Sequence, residues 1–197
     1  MKNVCVLGGG SFGTALAHLC AHNGHRVRLW MRSPTKASSI NNTGRNPSYL
    51  SGYPLHPNVV ATADSETLWD GCDYLICALP SRSVRERFEI FQYKMPSVPI
   101  VLATKGLEVK TLMTMQEVLL DIFGTERESS ILALSGPSFA QEIMLEHPTA
   151  VTLACPDENL AQEVAELFFC DHFRAYSTPD IMGVELGGAL KNVMAIA

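Results

Sequence analysis

Short apolar runs alternate with helix-like periodic segments along most of the chain. The apolar runs predict strands, and the periodic segments between them predict helices. Predicted strands occupy residues 4–7, 26–31, 59–62, 74–79, 100–103, 131–134, 150–154 and 172–176, and predicted helices residues 11–22, 65–69, 83–91, 111–123, 158–169 and 180–197. Strands that are apolar almost throughout are typical of a parallel sheet covered by helices on both faces. The pattern therefore predicts an α/β fold with a doubly wound, mostly parallel sheet of about eight strands.

The first predicted strand leads into a glycine-rich turn, Gly8-Gly9-Gly10-Ser11-Phe12-Gly13. Gly8, Gly10 and Gly13 have the G-x-G-x-x-G spacing of a dinucleotide site placed between a strand and a helix. In such a turn the first glycine makes the bend, the second lets backbone approach a pyrophosphate, and the third packs the helix on the strand. N–H groups at the helix start then face the anion. We therefore expect a Rossmann-like fold in which these three glycines bind a dinucleotide.

The end of the second predicted strand bears on the choice of cofactor. A site of this kind usually carries Asp or Glu there, which bonds the ribose 2′-hydroxyl of NADH. Here Trp30, Met31 and Arg32 occupy that neighbourhood. The missing carboxylate removes repulsion against a 2′-phosphate, and Arg32 can pair with one. We expect Arg32 to bind cofactor and NADPH to be preferred over NADH; the alternative is that Arg32 is only a solvated charge at a strand end.

Further motifs follow three of the later strands. Pro80 ends the fourth predicted strand, Lys105 follows the fifth and Gly136 follows the sixth. Because ligands bind open α/β sheets at the carboxyl ends of the strands, we expect these residues to converge on one crevice with the glycine-rich turn. Residues 38–58 are rich in Asn, Gly, Pro and Ser, and this long irregular connection is expected to be a functional flap.

The last predicted helix, residues 180–197, stops without a glycine, a basic last turn or a following proline. We therefore expect two domains. Residues 1–178 form a dinucleotide-binding Rossmann domain, and residues 179–197 form the first helix of a truncated, all-helical substrate domain.

Composition narrows the range of partners. The chain of 197 residues has a formal net charge of −5, which gives no overall attraction to nucleic acid. No uncharged apolar run approaches the ~18 residues of a transmembrane helix. We expect a small-molecule substrate, no nucleic-acid partner and no integral membrane segment. The six cysteines lack C-x-x-C spacing and the six histidines look scattered, so we expect buried free thiols, no metal site and no histidine acid.

Six segments, spread in order over nearly the whole chain, carry a family resemblance. They are Gly8 to Ala17, residues 46–58, Thr104-Lys105-Gly106, Ser135 to Glu142, Pro148 to Val151 and Val184 to Val193. Together they resemble bacterial NAD(P)-dependent glycerol-3-phosphate dehydrogenase, although residues 51–53 and 144–147 depart from the family pattern. The resemblance implies reversible reduction of dihydroxyacetone phosphate to sn-glycerol 3-phosphate by a cytoplasmic enzyme, for glycerophospholipid synthesis. The resemblance is also compatible with a homodimer of the full-length protein.

The resemblance assigns roles to particular residues. The lysine of the G-A-L-K-N-V segment falls on Lys191, which is expected to be catalytic and to bind substrate, by donating a proton to or neutralising the carbonyl oxygen. Lys105 is expected to contact substrate and cofactor. Substrate contacts also fall on Gly136 and Ser138, and cofactor contacts on Ser11, Phe12, Pro80 and Ala140. Structural alternatives are a snorkelling Lys191, a Phe12 that only packs beneath the turn, and a simple strand-to-helix turn at residues 136–138.

Two other functions stay open from the sequence. One is a β-hydroxyacid dehydrogenase with a similar two-domain plan and a helix-borne lysine. The other is a non-catalytic module that senses a dinucleotide. In the resembling family a further helical domain supplies an Asp and a Ser-Arg-Asn group to the substrate, and this chain contains no match to them. We therefore expect the chain by itself to bind cofactor with little or no turnover.

Overall fold

The computed structural model describes residues 1–196, and of residues 192–195 it describes the backbone alone. The strands are β1 (Asn3–Leu7), β2 (Arg26–Trp30), β3 (Val59–Thr62), β4 (Tyr74–Cys77), β5 (Ile100–Leu102), β6 (Ile131–Ser135), β7 (Thr149–Ala154) and β8 (Phe173–Thr178). The helices are α1 (Ser11–His22), α2 (Pro34–Thr43), α3 (Ser65–Trp69), α4 (Val84–Phe91), α5 (Met115–Phe123), α6 (Ala140–Met144), α7 (Glu158–Glu166) and α8 (Ile181–Ile196). Short 3₁₀ turns cover Ser81–Ser83 and Thr125–Ser130.

All eight strands form one sheet in the order β3-β2-β1-β4-β5-β6-β7-β8. Neighbouring strands are parallel except for the antiparallel pair β6 and β7. The strands are apolar on both faces, and each face buries its own core. Val6 and Leu29 belong to one core, while Leu7 and Leu75 belong to the other. The prediction of a Rossmann-like, mostly parallel sheet of about eight strands is confirmed.

The irregular segment predicted from residue 38 is wrong at its start, because α2 runs through Thr43. Helix α2 buries few side chains, Ala37 and Ile40, so the hydrophobic pattern of this helix is weak. Ser33 caps the helix and Pro34 occupies its first turn, which is a combination typical of a helix start. The irregular part of the connection therefore begins at Gly44, which ends the helix in a left-handed conformation.

Helix α5 begins at Met115 rather than at residue 111, because Thr114 and Glu117 form a capping box there. A second acidic side chain joins this helix start. Glu185, in α8, is 8% exposed, and both its carboxylate oxygens accept from the backbone N–H of Gln116 at 3.2 Å. Burial raises the pKa of Glu185. The contact ties α8 to the start of α5, while Ile181 and Val184 of α8 pack against Ala133 and Ala154 of the sheet.

The histidines are less scattered than the sequence indicates. His18, His22, His56 and His172 come together, with ring centroids 6.2 to 6.4 Å from that of His22. They lie on α1, before β3 and before β8, so distant segments bring them together. Five of the six cysteines are buried and the sixth, Cys170, is half-buried. Within residues 1–196, no helix is both long and apolar enough to cross a bilayer.

Candidate functional site

A cleft of about 730 Å³ opens at the carboxyl ends of the central strands. Its lining comes from six segments that are distant in sequence. They contribute Gly8 to Phe12, Trp30 to Ser33 with Lys36, Asn46 with Ser48 and Tyr49, Ala78 to Pro80 with Arg82, Ser83 and Arg87, Ala103 to Lys105, and Ser138 to Ala140. The cleft is therefore the place where the end of β1 meets the loops that follow β2, β4, β5 and β6.

The glycine-rich turn forms the middle of the cleft floor. Gly8 has a φ of +115°, and a Cβ there would lie 2.6 Å from the carbonyl oxygen of Ala78. At Gly13 an added Cβ would lie 2.0 Å from the carbonyl oxygen of Gly8, so α1 packs directly on the turn. A Cβ at Gly10 would meet no atom within 4 Å, because this residue borders open cleft. Two of the glycines are thus required by packing, and the third leaves room for a ligand.

The loop after α2 is tied to this turn by Asn46, which is 1% exposed. Its amide nitrogen donates to the carbonyl oxygen of Gly9 at 3.1 Å and to the Thr14 hydroxyl at 2.9 Å. Its amide oxygen accepts from the backbone N–H groups of Ser48 and Tyr49. Ser48 and Tyr49 both line the cleft. The loop therefore forms a wall of the cleft that is fixed at its base.

One end of the cleft gathers two lysines and two aromatic rings. The amine of Lys105 donates to the carbonyl oxygen of Gly136 at 3.2 Å and lies 5.2 Å from the ring centroid of Phe12. Burial, and secondarily the nearby charge of Lys191, lowers the pKa of Lys105. The amine of Lys191 lies 4.4 Å from the ring centroid of Phe139, a cleft residue. We call this the lysine end of the cleft.

Helix α8 reaches this end closely at one glycine. A Cβ at Gly188 would lie 2.6 Å from the hydroxyl of Ser135 and 3.8 Å from Cγ of Lys105. Glycine at this position therefore lets the helix that carries Lys191 approach the end of β6. The other two helix glycines do not meet the sheet in this way: Gly187 faces open space, and the atoms nearest Gly183 belong to Asp180.

On the other side of β1 in the sheet, the end of β2 and its neighbours contribute Trp30, Arg32, Lys36 and Arg87 to the lining, and we call this the arginine end. Arg32 and Lys36 are exposed, and Arg87 is half-buried with its guanidinium 5.8 Å from the ring centroid of Trp30. Arg82, in the turn after β4, also lines the cleft and is exposed. Among the lining residues, which all belong to the described chain, five carry ionisable charge at neutral pH, and all five are Lys or Arg. In a chain with net charge −5, this points to an anionic ligand.

Two buried polar atoms in the cleft also indicate a ligand. The hydroxyl of Ser138, a residue that is 4% exposed, and the indole N–H of Trp30, 6% exposed, have no hydrogen-bond partner within the described part of the chain. Buried polar groups are normally paired, and both residues line the cleft. The cleft thus fits an elongated ligand that carries anionic groups and reaches both ends. No three metal-binding side chains among residues 1–196 are arranged to hold an ion.

The structure brings together most of the residues singled out from the sequence. Those that line the cleft are Gly8, Gly10, Ser11, Phe12, Arg32, Pro80, Lys105, Ser138 and Ala140. Gly13, Gly136 and Lys191 are not lining residues, but each contacts one or packs beneath the floor. Sequence reasoning missed Lys36, Asn46 and Arg87. Lys36 is an isolated charge, Arg87 is one of several charged residues in α4, and Asn46 looks like an ordinary loop residue.

Comparisons with known proteins agree with this geometry. Residues 3–161 match a family model described as NAD-dependent glycerol-3-phosphate dehydrogenase N-terminus. A glycerol-3-phosphate dehydrogenase (NAD(P)+) of Geobacter sp. strain M21 is 42% identical over 200 residues, covering 100% of this chain and 59% of that protein. The chain thus spans 59% of the length of this curated relative.

Solved structures give the same result. A glycerol-3-phosphate dehydrogenase from Coxiella burnetii is 31% identical, with a TM-score of 0.91 over 99% of this chain and 59% of that one. A glycerol-3-phosphate dehydrogenase from Plasmodium falciparum is 25% identical, with a TM-score of 0.90 over 99% of this chain and 57% of that one. These similarities favour neither the β-hydroxyacid dehydrogenase nor the sensing module that the sequence left open.

Proposed function

The chain belongs to the NAD-dependent glycerol-3-phosphate dehydrogenase family, and from this we propose its reaction. The full-length protein interconverts dihydroxyacetone phosphate and sn-glycerol 3-phosphate with NADPH or NADH. The observation that carries the proposal is the cleft itself. The glycine-rich turn lines it, all five charged residues of the lining are Lys or Arg, and Ser138, whose buried hydroxyl has no partner within the described residues, lines it together with Lys105.

The chemistry asks little of the protein apart from charge and position. The nicotinamide, when bound, supplies or accepts the hydride. As the substrate carbonyl is reduced, negative charge grows on its oxygen and a proton must arrive there. Lys191 donates this proton, and in the reverse direction it takes the proton from the hydroxyl. Its position over Phe139, at the mouth of the lysine end, puts the amine beside the cleft.

Other residues hold the two ligands. Lys105 contacts substrate and cofactor, while Gly136 and Ser138 bind substrate. Ser11, Phe12 and the three glycines of the turn bind the middle of the cofactor, together with Pro80 and Ala140. Arg32 binds the 2′-phosphate of NADPH, and this gives NADPH the preference. The lowered pKa of Lys105 supports its role, because a phosphate placed beside this amine relieves the cost of holding its charge there.

The same proposal extends to the organisation of the protein. Residues 1–178 are the dinucleotide-binding domain, and residues 179–197, the last of which lies outside the described residues, begin a helical substrate domain. The part of the relatives' length that this chain does not cover supplies the remaining substrate contacts, so this chain alone binds cofactor with little turnover. The full-length enzyme is a cytoplasmic homodimer.

Reduction of dihydroxyacetone phosphate by a form of the protein extended to the relatives' length tests the proposal. We expect turnover with NADPH, lost by at least about 100-fold in Lys191→Met because the proton donor is gone. NADPH affinity changes little. Lys110→Met, which removes an exposed lysine outside the cleft, is the matched control and keeps its activity.

Three results would count against the proposal. Faster oxidation of a 3-hydroxyacid than of glycerol 3-phosphate would favour the β-hydroxyacid dehydrogenase. NADPH binding without any turnover would favour the sensing module. Full activity in Lys191→Met would remove the role assigned to this lysine.

A further inference from the structure

The arginine end of the cleft contains more positive charge than Arg32 alone. Lys36 and Arg87 also line it, from α2 and α4, which flank the cleft on two sides. We propose that Lys36 and Arg87 are specificity residues that bind the 2′-phosphate of NADPH together with Arg32. This rests on the proposed function, since it assumes that the adenosine half of a dinucleotide occupies the arginine end.

Lys36 occupies a place where a lysine is locally unfavourable. It is the third residue of α2, and its backbone N–H donates to the hydroxyl of Ser33, which caps the helix. The start of a helix carries partial positive charge and favours acidic side chains. The first turn of α2 contains none, so Lys36 adds positive charge to an end that is already positive. A phosphate in the adjoining cleft accounts for this arrangement, because it is stabilised by both the amine and the helix end.

Arg87 is held in place before any ligand binds. Its guanidinium lies over the ring of Trp30, and that ring meets the edge of Phe91 with centroids 5.4 Å apart. Arg87 also forms an ion pair at 2.9 Å with the adjacent Glu86, and the side chain of Glu86 is 64% exposed. Such an exposed pair contributes little, so a phosphate can replace Glu86 at small cost. Glu86 does not line the cleft, whereas Arg87 does.

Trp30 gives an independent indication of a polar ligand at this end. Its buried indole N–H has no acceptor in the described part of the chain, and the residue takes the place where NADH-binding sites usually carry a carboxylate. A donor at this position fits a ligand oxygen. Arg32, Lys36 and Arg87 bring only donors and positive charge to the lining, and the indole of Trp30 adds an unpaired donor among them, which suits a phosphate monoester with a charge of about −1.5 to −2.

The alternative for Arg87 is contact with the adenine ring, and the choice of probe separates the two. Adenine is present in both 5′-AMP and 2′,5′-ADP, but only the second carries the 2′-phosphate. Isothermal titration with both nucleotides therefore reports phosphate recognition as a ratio of dissociation constants. If Arg87 instead stacked on adenine, its substitution would weaken binding of both nucleotides and leave the ratio of their dissociation constants unchanged.

We expect 2′,5′-ADP to bind at least about tenfold more tightly than 5′-AMP, because each charge-assisted contact contributes roughly that factor. Lys36→Met and Arg87→Met each weaken 2′,5′-ADP by about tenfold and leave 5′-AMP within about twofold. Arg87→Lys keeps positive charge over Trp30 and retains part of the ratio. Lys110→Met and Arg26→Met, which remove exposed cations outside the cleft, leave both constants unchanged.

Two outcomes would overturn the inference but leave the dinucleotide site intact. In the first, Lys36→Met and Arg87→Met keep the wild-type ratio of dissociation constants. In the second, the variants bind both nucleotides more weakly by the same factor, which indicates packing or adenine contact. If neither nucleotide binds wild-type protein, the dinucleotide site of the proposed function fails as well. Circular dichroism melting of each variant identifies loss of folding, and Arg87→Lys then carries the test for Arg87.

Discussion

The two ends of the cleft differ in how they hold their positive charge. At the lysine end, Lys105 is half-buried over the ring of Phe12, and burial lowers its pKa. At the arginine end, Arg32 and Lys36 are exposed, so water solvates their charge, and only Arg87 is half-buried, over the ring of Trp30. Burying a cation costs free energy, whereas an exposed one costs almost none. Burial of Lys105 therefore lowers the stability of the fold but places the amine in a partly desolvated environment. The exposed Arg32 and Lys36 offer charge to a ligand with little loss of stability.

This difference fits the chemistry proposed for each end. Proton transfer and stabilisation of a growing oxyanion are most effective where water is excluded and groups are already in position. Recognition of a 2′-phosphate needs only correctly placed charge. Substitution of Lys105 should thus alter stability as well as turnover, and substitution of the exposed Arg32 or Lys36 should alter cofactor affinity alone.

The largest expected effect comes from the scaffold that joins both ends. Gly13→Ala would place a Cβ 2.0 Å from the backbone oxygen of Gly8, a clash that no side-chain movement relieves. We expect a loss of about 3 kcal/mol or more of unfolding free energy, together with loss of nucleotide binding. Urea unfolding followed by circular dichroism measures this. Gly24→Ala is the control, since a Cβ there meets nothing within 4 Å, although its φ of +84° still costs about 1 kcal/mol. Equal losses in the two variants would show that packing of α1 on the turn is not the critical feature.

Ser138→Ala separates stability from function at the lysine end. The hydroxyl is buried without a partner, so its removal should leave unfolding free energy unchanged or raise it by about 1 kcal/mol. The KM for dihydroxyacetone phosphate in the extended protein should rise about tenfold, because the substrate loses the hydrogen bond that we propose for this hydroxyl. Thermal melting and steady-state kinetics measure the two quantities. An unchanged KM would mean that the unpaired hydroxyl does not meet the substrate.

Lys105→Met is expected to have a small effect on stability with a defined pH dependence. The pKa of Lys105 is lowered in the folded chain, whereas in the unfolded chain it has the usual value of about 10.4. Below the folded value both states are protonated, and the wild type carries the full cost of the buried charge. The variant should therefore be more stable than the wild type near neutral pH. This difference in unfolding free energy should shrink as the pH rises from the folded to the unfolded pKa of Lys105. Urea unfolding at about pH 7 and about pH 10 checks this. A variant that is less stable at the lower pH would contradict it.

The sequence predicts the sheet and the glycine-rich turn because both depend on local patterns. Apolar strands such as β4 need burial on both faces, and the glycine spacing around Gly8 has few structural uses. Helix α2 is not among the predicted helices because it buries little, although Ser33 and Pro34 indicate its start. Lys105 is predicted to reach the cleft from its position after a strand, whereas Lys191 is identified only through a family resemblance, since a lysine on a helix is otherwise unremarkable.

Other parts of the cleft depend on contacts between distant segments. Arg87 lies in α4, which follows β4, and Trp30 ends β2; only β1 separates these two strands in the sheet. This strand order lets Arg87 reach Trp30 and the cleft. Asn46 fixes the flap through the backbone of Gly9, 37 residues earlier. No spacing rule along the chain reports such contacts, so only the fold identifies these residues.

The most direct test of the account is a titration of this chain with NADPH and NADH in parallel, followed by reduced-nicotinamide fluorescence, in the wild type and in Arg32→Ala. The account predicts that NADPH binds more tightly than NADH, and that the substitution weakens NADPH towards the NADH value while NADH affinity stays the same. Binding of neither nucleotide to a chain that unfolds cooperatively would contradict the assignment of the cleft as a dinucleotide site. Equal affinity for both, unaffected by Arg32→Ala, would contradict the assignment of the arginine end as its phosphate-reading half.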